Sequence, residues 1–228
     1  LAMARALDEA GRRIEAGGLI ERLDAPGFEQ AVLREGFVQS LLIERVKHYL
    51  NELDFARAAA LIDRAERGGA VVGQATRTLF LFRWSSYERR EGNYDRALMI
   101  LDERLRRQSP ALARDTMRTV LTQARMRLAE THEFEQAIAL MEKWGERLMG
   151  RDDDRAVRAE LHREWGEYLL DRDNPAKARE AFVRYASLKP AEDPSALFAR
   201  CDFRERMLAL APSDAAGAFE LAQWAARE

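Results

Sequence analysis

The side chains best suited to chemistry in this chain are three histidines, His48, His132 and His162, one cysteine, Cys201, and the acidic run Asp152-Asp153-Asp154. A helical zinc site needs two histidines four residues apart, and no two of these are so spaced. A single cysteine closes no internal disulfide and builds no thiolate cage. With Leu197 and Phe198 on the same apolar side, Cys201 reads as a small buried hydrophobe rather than a nucleophile. The triple aspartate lacks the glycine and distal glutamate of a calcium loop, and it precedes a predicted helix, where acids complement the helix dipole. Gly68-Gly69 and Gly73 follow no predicted strand and lead into no Gly-Lys-Ser/Thr, so they form no phosphate loop. Arg104, Arg106 and Arg107 fall near a predicted helix end, where positive charge is favoured. Trp84, Trp144, Trp165 and Trp224 fall on packing faces and read as core. None of these groupings makes a catalytic site; the expectation is a protein that is not an enzyme and uses no metal or cofactor.

Composition narrows the class further. Across 228 residues, 37 basic side chains nearly cancel 39 acidic ones, and 47% of the chain is apolar. That balance gives no global pull toward nucleic acid and enough apolar surface for a buried core. No run approaches the roughly 18 to 20 apolar residues of a membrane span. The basic residues comprise 33 arginines and only four lysines, a bias expected of a GC-rich, bacterial genome. The lone cysteine fits a reducing, cytoplasmic compartment, and a chain beginning at Leu1 is expected to be a processed form or a fragment.

The elements emerge from an internal repeat. Ala58, Ala97, Ala137, Ala178 and Ala218 are spaced by 39, 40, 41 and 40 residues. Four residues before each stand Asp54, Asn93, Glu133, Asn174 and Asp214, and four of these five are strong N-cap types, whose side chains accept hydrogen bonds from the first helical turn. Phe55, Tyr94, Phe134, Pro175 and Ala215 follow the caps. One turn beyond the alanines come Ile62, Leu101, Met141, Phe182 and Ala222, on the same helical face. A second amphipathic segment precedes each of these helices, at roughly 37–52, 74–91, 112–130, 154–172 and 194–211. The short junctions between them predict antiparallel pairs, and nothing predicts a strand. Ala2 to Glu15 reads as one amphipathic helix stopped by Gly17-Gly18, and Phe28 to Arg34 mimics the start of a second helix. The division is therefore 1–36 as N-terminal capping or partial-repeat helices and 37–228 as the repeat array.

Two stretches carry a family likeness. Trp165-Gly166-Glu167-Tyr168-Leu169-Leu170, with Asn174-Pro175-Ala176-Lys177-Ala178-Arg179-Glu180-Ala181-Phe182 and Lys189-Pro190, resembles a tetratricopeptide repeat. Trp84-Ser85-Ser86-Tyr87 followed by Gly92-Asn93-Tyr94-Asp95-Arg96-Ala97-Leu98 resembles another. The likeness covers roughly residues 37 to 227, with a period near 40 in place of the usual roughly 34. The small first-helix residue is plain only at Ser85 and Gly166, with Val46 in that register of the first unit, and the closing proline occurs only as Pro110 and Pro190. The resemblance implies an all-α, right-handed superhelical solenoid of antiparallel helix pairs, about five repeats plus N-terminal capping helices.

It also implies a function. Family concave-face positions carry over to Ile43, Lys47 and Asn51, then Phe82, Ser86, Arg89 and Arg90, then Thr122 and Met126, then Arg163 and Glu167. Their mixture of apolar, polar and charged types suits a protein or peptide partner, and Lys47, Arg89 and Arg90 bias the N-terminal half toward acidic ligands. The family's Lys–Asn carboxylate clamp is replaced here by Ile43/Lys47 and Phe82/Ser86. The expected role is a protein-interaction scaffold or adaptor, with no direct contact to nucleic acid and no membrane span. The alternative is a sensory or regulatory repeat module of a larger transcription regulator or nucleotide hydrolase.

Overall fold

The polar residue heading each repeat fixes where the second helices begin. In the computed structural model, which describes residues 2–21, 36–67, 72–210 and 214–225, those helices are α4 (Phe55–Arg67), α6 (Tyr94–Ile100), α9 (Phe134–Met149), α11 (Pro175–Leu188) and α13 (Ala215–Ala225). All five start immediately after the expected cap. Their partners are α3 (Gly36–Asn51), α5 (Gln74–Arg90), α8 (Pro110–Glu130), α10 (Arg151–Asp171) and α12 (Ser195–Ala209), and α1 (Ala2–Glu9) and α2 (Arg13–Glu21) lie at the N-terminus. After α6 a π-helical turn, Leu101–Leu105, leads into α7 (Arg106–Gln108). Among the described residues there is no strand. The fold is all-α, built of tetratricopeptide-like helix pairs in two compact units, Leu1–Ala113 and Arg114–Glu228.

Three of the five caps act through the side chain. Asp54 Oδ1 accepts from the Arg57 amide at 3.1 Å, Asn174 Oδ1 from Lys177 at 3.3 Å and Asp214 Oδ1 from Gly217 at 2.8 Å. Asn93 and Glu133 depart from the expectation. Asn93 turns its amide to donate to Glu88 Oε2 at 3.0 Å, and the Glu133 carboxylate accepts from Thr131 Oγ1 and Gln136 Nε2 instead.

The turn before each cap repeats one backbone device. Leu53, Gly92, His132 and Asp173 adopt left-handed φ values of 59°, 80°, 63° and 57°. The next amide then reaches back five residues: Asp54 to the Tyr49 carbonyl, Asn93 to Glu88, Glu133 to Leu128 and Asn174 to Leu169, at 2.7 to 2.9 Å. This Schellman closure satisfies carbonyls at the end of the first helix and reverses the chain within three residues, which makes the pair antiparallel. Only one of the four positions is glycine. Leu53 is more than half exposed and carries the left-handed strain without compensating burial. Leu53→Gly is therefore expected to stabilise the first unit by about 1 kcal/mol; an unchanged or lower urea midpoint would place the strain elsewhere.

Small residues set how closely helices pack. Ser85 is buried, and its hydroxyl donates to the Ala97 carbonyl of α6 at 3.3 Å. Gly166 faces the Phe182 ring, and Ala97, Ala137 and Ala178 are all fully buried. Around Phe182 lie Leu170, Ala178 and Cys201, so the cysteine is a core residue, and burial pushes its thiol above the usual range.

The N-terminal segment differs from the expected single helix. Gly11, at φ 76°, ends α1, with Arg12 N–H bonding the Leu7 carbonyl at 2.8 Å. Gly17 and Gly18 lie inside α2. Gly17 is not a stop but a contact: a Cβ there would stand 2.9 Å from the Leu41 carbonyl oxygen of α3. Phe28–Arg34 and Gly68-Gly69 lie outside the described residues.

Candidate partner-binding site

Within the first unit, α5 holds the carried-over face. Its sequence contains five charged side chains, Arg77, Arg83, Glu88, Arg89 and Arg90, of which one is acidic. Glu88 is buried, accepts from Trp84 Nε1 at 3.1 Å and Asn93 Nδ2 at 3.0 Å, and pairs with Arg96 at 3.1 Å. Burial of that carboxylate leaves α5's outward charge cationic. Along one stripe at helical spacing run Leu79, which is about half exposed, half-buried Phe82, Arg83, half-buried Ser86 and exposed Arg90. Arg89 is half buried.

Helix α3 joins this stripe through Asn51, whose Oδ1 accepts from Arg83 Nη1 at 3.1 Å. Lys47 is exposed and pairs with Glu44 at 2.8 Å. Ile43 is different: it lines an apolar cavity of about 10 Å³ with Leu42, Val46, Leu61 and Ile62, too small to admit a ligand. The residues brought together in this unit are therefore Asn51, Phe82, Ser86 and Arg90 around Arg83, with Lys47 one turn before Asn51.

On the other side of α5, a cleft of about 900 Å³ opens between α4, α5 and the π-helical turn. Its guanidiniums are largely spoken for. Arg104 makes a two-pronged contact to Asp63 at 3.2 and 3.3 Å, and Arg77 Nε lies 2.7 Å from Glu66.

In the second unit Thr122 is half buried and Met126 about half exposed, one turn apart on α8. Arg163 and Glu167, on α10, are tied into a chain of ion pairs. Tyr185 donates its hydroxyl to Glu192; Lys189 bridges Glu192 and Glu160 at 2.9 and 2.8 Å; Arg163 bridges Glu160 and Glu167 at 2.9 and 3.1 Å; and Arg200 stands 3.7 Å from Glu167. The Lys189 hydrogen bond holds the Glu160 carboxyl below the usual carboxylate range, and Glu160 in turn raises Lys189 and Arg163. Charges on this face are matched by neighbours in the same unit; on α5, Arg77 pairs with Glu66 and Arg83 with Asn51, and Arg90 stands exposed.

No family profile and no curated protein sequence matches this chain. Solved structures that resemble it include two of MamA. One is titled "MamA 41-end from Desulfovibrio magneticus RS-1", at 16% identity and TM-score 0.29, covering 84% of this chain and 94% of that one. The other, "MamA RS-1 ArsTM double mutant", has 16% identity and TM-score 0.28, with 84% and 93% covered. Likenesses at that score fix neither a partner nor a function here.

Nothing in the sequence singles out Arg83 or Arg200. Arg83 is one position beyond Phe82 and joins two helices only once they are packed. Trp224, expected in the core, is half buried and lines a surface cleft instead. Among the described residues no cluster of histidine, cysteine and carboxylate side chains suits a metal, and no helix is long and apolar enough to cross a membrane.

His162 is a perturbed histidine. It is buried on α10, its Nδ1 has no hydrogen-bond partner among the described residues, and burial, then Arg184 and Arg158, lower its pKa to about 4. In the unfolded chain it returns to about 6.5. Because the folded value is the lower one, its contribution is complete above pH about 6.5 and is lost as pH falls toward about 4. The expected loss is about 3 kcal/mol, measured as the pH dependence of the urea midpoint. His162→Gln should flatten that window; an identical pH profile in the variant would assign the loss to other groups.

Proposed function

We propose that this chain is a protein-interaction scaffold, a long-period tetratricopeptide-like array that holds a peptide or protein partner on its first-helix faces. The observation carrying this reading is α5. A solvent-facing stripe that combines Leu79, Phe82 and Ser86 with Arg83 and Arg90, while its one carboxylate is buried, offers apolar anchors and orienting charges on a rigid element. Lys47 and Asn51 of α3 extend the same stripe. The carried-over residues Thr122, Met126, Arg163 and Glu167 belong to further contacts in the second unit, where matched charges favour register over affinity.

Native-lysate capture with the parent chain and with Lys47→Glu/Arg83→Glu/Arg90→Glu tests the reading. All three side chains are exposed or half exposed at the surface, so the fold should survive, as far-UV circular dichroism will check. Recovery of the captured protein is expected to fall at least about tenfold, the effect of losing roughly 1.4 kcal/mol of contact. Equal recovery with both chains would move the contact off this face.

A further inference from the structure

The second unit carries a cleft that none of the ion pairs described above fills. It lies along α12, bounded by the end of α10 and by α13, with a volume of about 520 Å³. Ala196 and Ala199 line it, and their small side chains leave the space open. Phe203 and Trp224 form an aromatic wall, their rings 6.4 Å apart between centroids and within 8° of parallel. Trp224 is held from α12 by Arg206, whose guanidinium lies 4.4 Å from the ring centroid. An indole that is half exposed and clamped in this way is already ordered before any ligand arrives, which lowers the entropy lost on binding.

Two arginines supply the polar half. Arg200 is about half exposed and stands 3.7 Å from Glu167, a loose contact that leaves most of its donors free to reach elsewhere. Arg204 pairs with Asp173 through one terminal nitrogen, while its Nε is buried and has no acceptor among the described residues. A buried guanidinium N–H without an acceptor is an unfavourable state, and a carboxylate is the acceptor that relieves it best. Among the described residues Asp171 is the acidic side chain that lines the cleft, with Glu167 and Asp173 beside Arg200 and Arg204. Aromatic walls, a small-residue floor and two guanidiniums, each paired through one terminal nitrogen only, define a complementary ligand: flat and apolar at one end, anionic beside it.

The geometry points to this cleft as the docking site for an extended segment of a partner protein that carries an aromatic residue next to a glutamate or aspartate. The inference rests on the scaffold reading but concerns a different surface from the α3–α5 stripe. The aromatic ring packs against Phe203 and Trp224 over Ala196 and Ala199, and the adjacent carboxylate accepts from Arg204 and Arg200.

The test is fluorescence anisotropy with the full chain and labelled, C-terminally amidated Gly/Ser peptides carrying a central Glu-Phe-Glu, Lys-Phe-Lys or Glu-Ala-Glu. Glu-Phe-Glu is expected to bind at least about tenfold more tightly than either control, and more weakly as salt rises. Ala196→Trp, at an exposed position that needs no core rearrangement, fills the cleft and should weaken binding at least about tenfold. Arg200→Gln should do the same, and Arg200→Lys should restore part of the loss. No binding of Glu-Phe-Glu, equal binding of Lys-Phe-Lys, or an Ala196→Trp chain that binds like the parent would each overturn the inference. So would dimers of the parent chain that Ala196→Trp abolishes while peptide binding is unaffected, since the occupant would then be a second copy. If the peptide binds, ignores Ala196→Trp and is lost in Lys47→Glu/Arg83→Glu/Arg90→Glu, the cleft is excluded and the scaffold reading stands.

Discussion

Gly166→Val is expected to destabilise the second unit by about 3 kcal/mol, near the top of the range for overpacking a close contact. A Cβ at Gly166 would stand 2.4 Å from Cε1 of Phe182 and 2.7 Å from two further ring carbons, so even the first added atom has no room. The ring has nowhere to go. Phe182 is fully buried among Leu170, Ala178 and Cys201, with Leu169, Leu197 and Phe198 packed around that cluster. Repacking would have to displace α11 from both α10 and α12. Phe182→Leu in the same chain should relieve part of the penalty, so the double variant should lose less than the sum of the two single ones. Gly18→Ala serves as the control. Its added Cβ meets nothing closer than 3.9 Å, so the ordinary helix preference for alanine should raise stability by up to about 1 kcal/mol. A Gly166→Val chain with the parent's urea midpoint would mean that α10 and α11 do not cross at this pair.

Arg158→Met should lower stability by about 3 kcal/mol, the low end for removing one partner of a buried pair. Asp154 is buried, and its Oδ2 accepts from Arg158 Nε at 3.0 Å and Nη2 at 2.8 Å. Its other oxygen, Oδ1, has no partner among the described residues and occupies the space where Gly145 lacks a side chain: a Cβ there would come within 1.9 Å. Without Arg158 the carboxylate is left in the core with nothing to answer its charge. The low end applies because Arg158 itself is one-quarter exposed. Asp154→Ala combined with Arg158→Met removes the charge as well as its partner, and should recover part of the loss. A single variant within about 0.5 kcal/mol of the parent, the ordinary range for a surface change, would show that the pair is solvated in solution.

Sequence made the second helices legible because one residue type at one place fixes their start. Asp54, Asn174 and Asp214 do there what a short acceptor side chain does at a helix end. The first helices were equally plain from three-and-four apolar spacing. Other features depend on information that spacing does not carry. Leu53, His132 and Asp173 adopt a glycine-like backbone without being glycine, because the paired helices hold the turn closed around them. Gly17 looked like a stop because a helix-ending glycine and a glycine that admits a neighbouring backbone are the same letter. Gly11, a real helix end, sat inside an otherwise apolar-periodic run.

The candidate site could be proposed in position from the family resemblance, but its side-chain partnerships could not. Lys47, Asn51, Phe82, Ser86 and Arg90 are assigned to the partner face through the family resemblance, which the repeat register carries onto this chain. That Asn51 is engaged by Arg83, or that Arg163 and Glu167 are matched by Glu160, Lys189 and Arg200, depends on residues from other elements. Ile43, carried over as a concave-face position, lines an apolar cavity between α3 and α4. The α12–α13 cleft left no sequence signal, since Ala196, Phe203 and Trp224 look like ordinary core residues until α13 leaves them uncovered.

Site-specific photo-cross-linking measures the central claim most directly. A benzophenone side chain placed at Ser86 or Arg90, on the first-helix stripe, should capture the same protein from native lysate. The same group at Met99 or Val183, exposed positions on second helices, should leave that protein uncaptured. Capture from Met99 or Val183 alone, with none from Ser86 or Arg90, would contradict the assignment of the binding surface to the first helices.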